Sequence, residues 1–292
     1  MTNEGIIYWC SGHKLLVRLT VSIASLRDHY DGPLTVLLAN TPPEYFGILE
    51  RHGIEYKKID YQPGHKPAQV AKALLNEWTP YERTLYLDCD TLLLRDPSPA
   101  FRFLDDVPFL VTQYGVWDVK HGGIARRVRG WYEAGMMTDE EFNACYNYPA
   151  GINIGFLGFR TDASIFKEWH ARALEAFKAN AYIPDEVSCQ VLITRHDHKL
   201  LPTGYNQPVN RPPGITPDTY MLHAAGRKSM SIEKTRKWGT ALRWREYFQG
   251  MLDADTMSVR EVVGKWRYGA EKRFWEALQG GNTNVWKDEA IQ

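Results

Sequence analysis

Cysteine is scarce. The four present, Cys10, Cys89, Cys145 and Cys189, stand far apart and form no Cys-x-x-Cys pair. That leaves no disulfide framework to read, and reduced thiols in a cytoplasm are the expectation. Long apolar runs are also missing. No uncharged stretch approaches the roughly 20 residues that a membrane span needs. The opening Met1-Thr2-Asn3-Glu4-Gly5 has no basic region leading into an apolar one, so neither a signal peptide nor a spanning helix is expected. Net charge is absent as well: Lys plus Arg number 35 and Asp plus Glu number 35. No global field points to a polyanion, although a local patch can still form. There is no Gly-x-Gly-x-x-Gly after the first apolar strand and no Gly-x-x-x-x-Gly-Lys-Ser/Thr anywhere, which sets aside dinucleotide dehydrogenases and P-loop ATPases.

What remains is the composition of a soluble globular enzyme, 44% hydrophobic and 24% charged, in a chain of 292 residues that can bury a sizeable core. Ile6-Ile7-Tyr8-Trp9-Cys10 reads as a buried strand, and Leu16, Leu19, Ile23 and Leu26 recur at helical spacing until Asp31-Gly32-Pro33. Leu34 to Leu38 is a second strand. Thr41-Pro42-Pro43-Glu44 has the form of a capped helix start. Glu55 to Asp60 is a third strand, and Pro67 opens a helix through Val70, Ala73, Leu74 and Trp78. This cadence predicts an α/β fold with a mostly parallel central sheet, flanking helices, and ligands beyond the strands' C-terminal ends.

The chemistry concentrates at the fourth strand. Arg83-Thr84-Leu85-Tyr86-Leu87 runs into Asp88-Cys89-Asp90, followed by Thr91-Leu92-Leu93-Leu94. If extended geometry persists through Cys89, period-two alternation points Asp88 and Asp90 the same way, where two hard oxygen ligands can share one Mg2+ or Mn2+. A second Asp-x-Asp, Asp253-Ala254-Asp255, has no apolar strand before it and reads as a solvated turn.

After Phe109-Leu110-Val111-Thr112 comes a polar, aromatic insertion with Arg126, Arg127, Arg129 and Trp131 and a helix start at Thr138-Asp139-Glu140-Glu141. It reads either as a solvated helical excursion or as the wall of an acceptor site. Pro149 to Arg160 returns as a strand in which Gly151, Gly155 and Gly158 permit close backbone approach. Asp162 is placed to cap the next helix, and Pro184 starts another with Asp185 and Glu186 in its first turn, where acids are ordinary dipole partners. His196-Asp197-His198 has the look of a metal cluster but sits in a polar connector before Leu200-Leu201, where a solvated link is expected over a ligand set. Met221-Leu222-His223 brings an apolar approach to an imidazole, followed by Gly226, Arg227 and Lys228.

Together these pieces resemble the GT-A nucleotide-sugar glycosyltransferases, most closely glycosyltransferase family eight, the glycogenin and lipopolysaccharide galactosyltransferase group. The resemblance covers about residues 5 to 230. It rests on Leu85-Tyr86-Leu87-Asp88-Cys89-Asp90, Ile152-Asn153-Ile154-Gly155, Asp185-Glu186, and His223 with Gly226 and a following lysine. It implies a Rossmann-like GT-A catalytic domain over 1–230, with a nucleotide-binding half over about 1–112 and an acceptor and sugar half over about 113–230. A basic, tryptophan-rich helical extension over 231–292 follows. It also implies Mn2+ or Mg2+ on Asp88, Asp90 and His223. Tyr8, Trp9, Cys10 and Ser11 would border the nucleobase, and Lys72, Gly226, Arg227 and Lys228 would lie at the phosphates. Asn153, Gly155 and Asp185 would lie at the sugar, with Glu186 beneath the anomeric carbon. The implied reaction moves a hexose from a nucleotide diphosphate sugar, a UDP-sugar, to an acceptor hydroxyl with retention.

Two other readings compete. Leu87-Asp88-Cys89-Asp90-Thr91-Leu92 also resembles motif one of haloacid-dehalogenase-type phosphatases, but that motif normally sits on the first strand and needs a later acidic pair, often beginning Gly-Asp; no Gly-Asp dipeptide exists here. A non-catalytic sugar- or nucleic-acid-binding protein would need no distant metal-linked histidine. The tail interleaves Arg243, Arg245, Arg260 and Lys265 with Trp238, Trp244, Trp266, Trp275 and Trp286. Such a pattern suits packing tryptophans with solvated cations, or an anionic partner such as membrane lipid or nucleic acid.

Overall fold

The computed structural model describes residues 3–61, 70–114, 120, 122–209, 211–224, 243–244 and 246–250. In chain order the elements are β1 (Glu4–Ser11), α1 (Leu16–Arg27), β2 (Leu34–Ala39), α2 (Gly47–Arg51), β3 (Tyr56–Lys58), α3 (Leu75–Trp78), β4 (Arg83–Leu87) and β5 (Thr91–Leu93). Then come β6 (Phe109–Gln113), α4 (Gly122–Glu133), α5 (Asp139–Tyr146), β7 (Ile152–Arg160), α6 (Ile165–Lys178), α7 (Pro184–Leu192), β8 (Lys199–Leu201), β9 (Gln207–Pro208) and β10 (Met221–His223).

Seven strands form the main sheet in the order β3-β2-β1-β4-β7-β6-β8. All neighbours pair in parallel except β7, which is antiparallel to both β4 and β6. The expected mostly parallel sheet is therefore present, with one reversed strand inside it, between β4 and β6. A sheet covered on both faces needs strands apolar on both faces, and β1 shows how that works. Ile6, Tyr8 and Cys10 enter one core with α1, while Ile7 and Trp9 enter a second core with Val70, Ala71 and Trp169. A small second sheet, β5-β10-β9, carries β10 antiparallel to β5 and puts His223 opposite Thr91.

Several local expectations change. Thr41 to Glu44 does not start a capped helix: a short 3-10 turn, Pro43–Tyr45, forms with no side-chain cap. Pro67 lies outside the described residues, and Val70–Leu74 is a 3-10 turn leading into α3. Asp162 does not cap α6; it pairs with Arg160 at 3.0 Å, and α6 begins without a side-chain cap. Thr138 does cap α5, in a reciprocal box with Glu141. The insertion is not merely solvated, because Ile124, Val128 and Trp131 on α4 bury an apolar stripe together with Val187 and Val191 of α7. His198 bonds Tyr148 at 2.7 Å and His196 faces Glu168 at 3.3 Å, which leaves this stretch a connector. All four cysteines are reduced and buried. Among the described residues no helix is long and apolar enough to cross a membrane.

Candidate active site

The site lies at the edge of the sheet where the parallel strands end. Because β7 runs the other way, its first residues sit at this edge, and Asn153 and Gly155 arrive beside the end of β4. The ladder extends one residue past β4 through Asp88 N–H to Gly155 O at 2.9 Å. Beyond that the chain bends at Cys89 and Asp90 before β5, so extended geometry does not persist through the Asp-Cys-Asp motif. The two carboxylates converge through tertiary bonds instead. The N–H of Ala224, next to His223, donates to Asp90 O at 3.0 Å, which fixes β10 against the bend.

His223 Nε2 stands 3.5 Å from Asp88 Oδ2 and 3.4 Å from Asp90 Oδ1. One ligand atom from each of these residues lies within 4.8 Å of the others, the sole such three-residue group among the described residues. Burial pushes the His223 imidazole down, but its hydrogen bond to Asp90 and the charges of both carboxylates win and hold it above its ordinary value. Burial likewise pushes Asp90 up, and the His223 bond and charge overcome this, holding its carboxyl at about 2. The spot therefore favours a positive charge between two carboxylates and a nitrogen. Two hard oxygens and one imidazole fit Mn2+ or Mg2+.

Around this trio the remaining groups are held tightly. Lys72 Nζ contacts both oxygens of Asp88, at 2.7 Å and 3.0 Å, and Tyr86 OH also donates to Asp88. Burial works against the Lys72 ammonium, but Asp88, Asp185 and Asp90 together keep its pKa above the usual lysine value. An Asp88 carboxylate engaged in this way is an anchored ligand, poorly suited to the nucleophile role of the phosphatase reading. Asp185 and Glu186 occupy the first turn of α7 after Ile183, whose φ of 51° turns the chain sharply into the helix. Asp185 Oδ1 accepts the Glu186 N–H at 2.9 Å. Glu186 Oε1 takes an ion pair from Arg127 of α4, and Oε2 accepts from Asn153 Nδ2 at 2.8 Å. Burial raises both carboxyls above their ordinary range, against the opposing pull of Lys72 on Asp185 and of Arg127 on Glu186.

These groups line one cleft of about 1150 Å³, together with Trp9, Tyr114, Arg126, Tyr182 and Arg211. The sites expected from sequence divide accordingly. Asp88, Asp90, His223, Lys72, Asn153, Gly155, Asp185, Glu186, Trp9, Arg126 and Arg127 come together there. Tyr8 and Cys10 do not: alternation along β1 turns them into the core, where Tyr8 OH meets Ser22 Oγ at 3.0 Å. Ser11 takes a bond from Asn40 at 3.0 Å, outside the cleft lining. Arg129 is exposed on α4 and also lies outside that lining. Trp131 is also part of the cleft lining, almost wholly buried in its wall, with its Nε1 donating to Tyr182 O at 3.0 Å. Gly226, Arg227 and Lys228 lie outside the described residues.

Tyr86, Tyr114, Tyr182 and Arg211 join the site without having been expected there, and so does one residue behind it. Asn206, fully buried on the turn before β9, sets its Oδ1 2.8 Å from His223 Nδ1 and donates to Asn153 Oδ1 at 2.8 Å. No motif marks it in sequence. Only the apolar spacing of Leu201, Tyr205 and Val209 indicates that this stretch returns to the core.

No family model matches the chain, and no curated protein matches it. Solved structures do. The galactosyltransferase LgtC, solved with donor and acceptor sugar analogues, aligns with a TM-score of 0.60 and 17% identity over 85% of this chain and 95% of that one. The bifunctional glycosyltransferase WbbM aligns at 0.57 and 13% over 87% of this chain and 52% of that one. Mouse xyloside xylosyltransferase 1 aligns at 0.53 and 11% over 80% and 100%. At such identities the likeness is one of backbone architecture: the chain has the GT-A fold, in the form found among LgtC-like glycosyltransferases.

Proposed function

We propose that this protein is a metal-dependent glycosyltransferase that moves a glucose- or galactose-like hexose from UDP to an acceptor hydroxyl with retention at the anomeric carbon. The observation that carries the reading is the convergence of Asp88, Asp90 and His223 at the C-terminal edge of a GT-A sheet. Asp88, Asp90 and His223 would hold Mn2+ or Mg2+, which when bound supplies a charge that stabilises a departing diphosphate. Lys72 adds a fixed cation beside the same carboxylates. Asn153 and Asp185 face the cleft as partners for sugar hydroxyls. Both oxygens of Glu186 are engaged, by Arg127 and by Asn153. It is therefore better suited to fix the position of Asn153 and to stabilise positive charge on the sugar than to attack as a nucleophile. That supports attack by the acceptor on the leaving-group face.

A panel of nucleotide sugars assayed for Mn2+-dependent release of nucleoside diphosphate tests the reading. Turnover is expected with a UDP-hexose and should be lost in Asp90→Asn. Full Mn2+-dependent activity in that variant would remove the metal assignment. Thermal protection by UDP no better than by GDP or CDP under saturating Mn2+ would remove the nucleotide.

A further inference from the structure

We infer that Asn206 is a positioning residue for His223: it fixes the proton on Nδ1, reserves Nε2 for the cation, and ties that ligand through Asn153 to Glu186. The inference rests on the metal-dependent reading above but concerns a residue outside the cleft lining.

The argument starts from two groups whose hydrogen-bonding roles admit no choice. The backbone N–H of Gly155 can only donate, and it reaches Asn153 Oδ1 at 3.0 Å. The Glu186 carboxylate, paired with Arg127, accepts from the other end of the same amide at 2.8 Å. The orientation of Asn153 is thereby set, with its oxygen toward Asn206. Only the amide nitrogen of Asn206 can face that oxygen, at 2.8 Å. The same nitrogen donates to Thr112 Oγ1 at 2.9 Å, whose single proton is already given to Asn153 O at 2.7 Å. The Asn206 oxygen must then point the other way, to His223 Nδ1 at 2.8 Å, and an oxygen there requires a protonated Nδ1. Nε2 is left facing Asp88 and Asp90. Reversing the Asn206 amide would oppose oxygen to oxygen at Asn153 and set an oxygen against Thr112 Oγ1, whose proton is spent, inside a site where Asn206 is 0% exposed. Unpaired polar atoms there are costly.

All donors thus run one way, from His223 through Asn206 and Asn153 to Glu186. The chain spans the cation site and the acid at the far wall of the cleft, and Arg127 closes it from the insertion. A residue that orients a ligating histidine through its second nitrogen commonly carries a 10- to 100-fold effect on metal affinity.

Mn2+ affinity of the full chain, read by electron paramagnetic resonance, should fall by about 10- to 100-fold in Asn206→Leu. Asn206→Asp keeps an oxygen for Nδ1–H and loses the donors, so its affinity should stay nearer to wild type than to Asn206→Leu. Nitrogen-15 spectra of metal-free wild type should show a slowly exchanging proton on His223 Nδ1, and Mg2+ should perturb Nε2. The inference is overturned if His223 Nδ1 carries no fixed proton, or if Asn206→Leu folds and binds Mn2+ as tightly as wild type. It also fails if Asn206→Asp loses as much affinity as Asn206→Leu, which would make Asn206 packing only. Should Asn206→Leu not fold, the wild-type spectrum and the Asp variant decide. A wild type that binds no Mn2+ removes the metal reading, and the Nδ1 proton then decides the tie by itself.

Discussion

Gly155 lies directly against the imidazole of His223: a Cβ built on it would stand 2.5 Å from Nδ1 and 2.9 Å from Asn153 Oδ1, closer than real side chains approach. The glycine is needed here because a metal ligand and its supporting amide occupy the space a side chain would fill. Gly155→Ala should displace His223 from the carboxylates and cost about 1–3 kcal/mol of stability through overpacking. Mn2+ affinity should fall at the same time. Calorimetric titration with Mn2+ beside urea unfolding reads both. An alanine variant with wild-type metal affinity would show that His223 can move without loss, contrary to the buried geometry.

The ion pair between Arg127 and Glu186 joins the insertion to α7, with side chains 21% and 10% exposed. Removing the cation leaves a buried carboxylate whose Asn153 bond cannot compensate its charge. Arg127→Met should therefore cost up to about 3 kcal/mol. Glu186→Gln in the same background should recover part of that loss, giving a double-mutant coupling of at least about 1 kcal/mol. Urea unfolding of wild type, both single variants and the double variant measures it. Strict additivity would mean that the pair contributes nothing beyond its separate contacts.

Much of this architecture is legible before any coordinates. Apolar runs bounded by Gly, Pro and Asp mark β1, β2 and β4, because strands buried on both faces must be continuously apolar. Asp88 and Asp90 stand out because charge follows a fully buried lead-in. What escapes is whatever depends on contacts distant in the chain. The reversal of β7 has no local signature, yet it brings Asn153 and Gly155 to the site at a strand's beginning. Asn206 is one amide in an ordinary turn, and its role exists only because residues 112, 153 and 223 surround it. Tyr8 and Cys10 show a failure of a different kind: once Trp9 faces the cleft, period two along β1 already turns its neighbours away.

Asp185 offers a test through pH. Burial raises its carboxyl, with Lys72 opposing, so the folded state holds this proton more tightly than the unfolded chain does. The stability that follows is fully present below the unfolded value of about 3.9 and is lost as pH rises through the higher folded value. Metal-free wild type should therefore lose stability relative to Asp185→Asn as pH climbs from about 4 toward neutrality. Denaturant midpoints for both proteins in EDTA across this range give the difference. A difference of opposite slope would mean that Lys72 outweighs burial.

Trp244 bears on the tail that follows His223. It is 1% exposed, stacks on Phe248 with ring centroids 5.0 Å apart, and both rings belong to the core that contains α1. Tyr247 beside them bonds Asp28 at the end of α1 at 2.6 Å, while Arg243 points to solvent. For this stretch the basic and aromatic pattern is that of packing rings with solvated cations; the other tail tryptophans named above lie outside the described residues. Trp244→Ala should destabilise the whole domain by about 3–5 kcal/mol, since a large ring is removed from a closed core. Arg243→Ala, on the exposed side, should stay within about 0.5 kcal/mol of wild type. Because Trp244 packs into the core that also contains Leu85, Leu87 and Leu92 around the Asp-Cys-Asp motif, unfolding of the Trp244→Ala variant should remain a single transition. A separate early transition, with the remaining domain at wild-type stability, would instead make this segment an appendage that docks on the fold without supporting it.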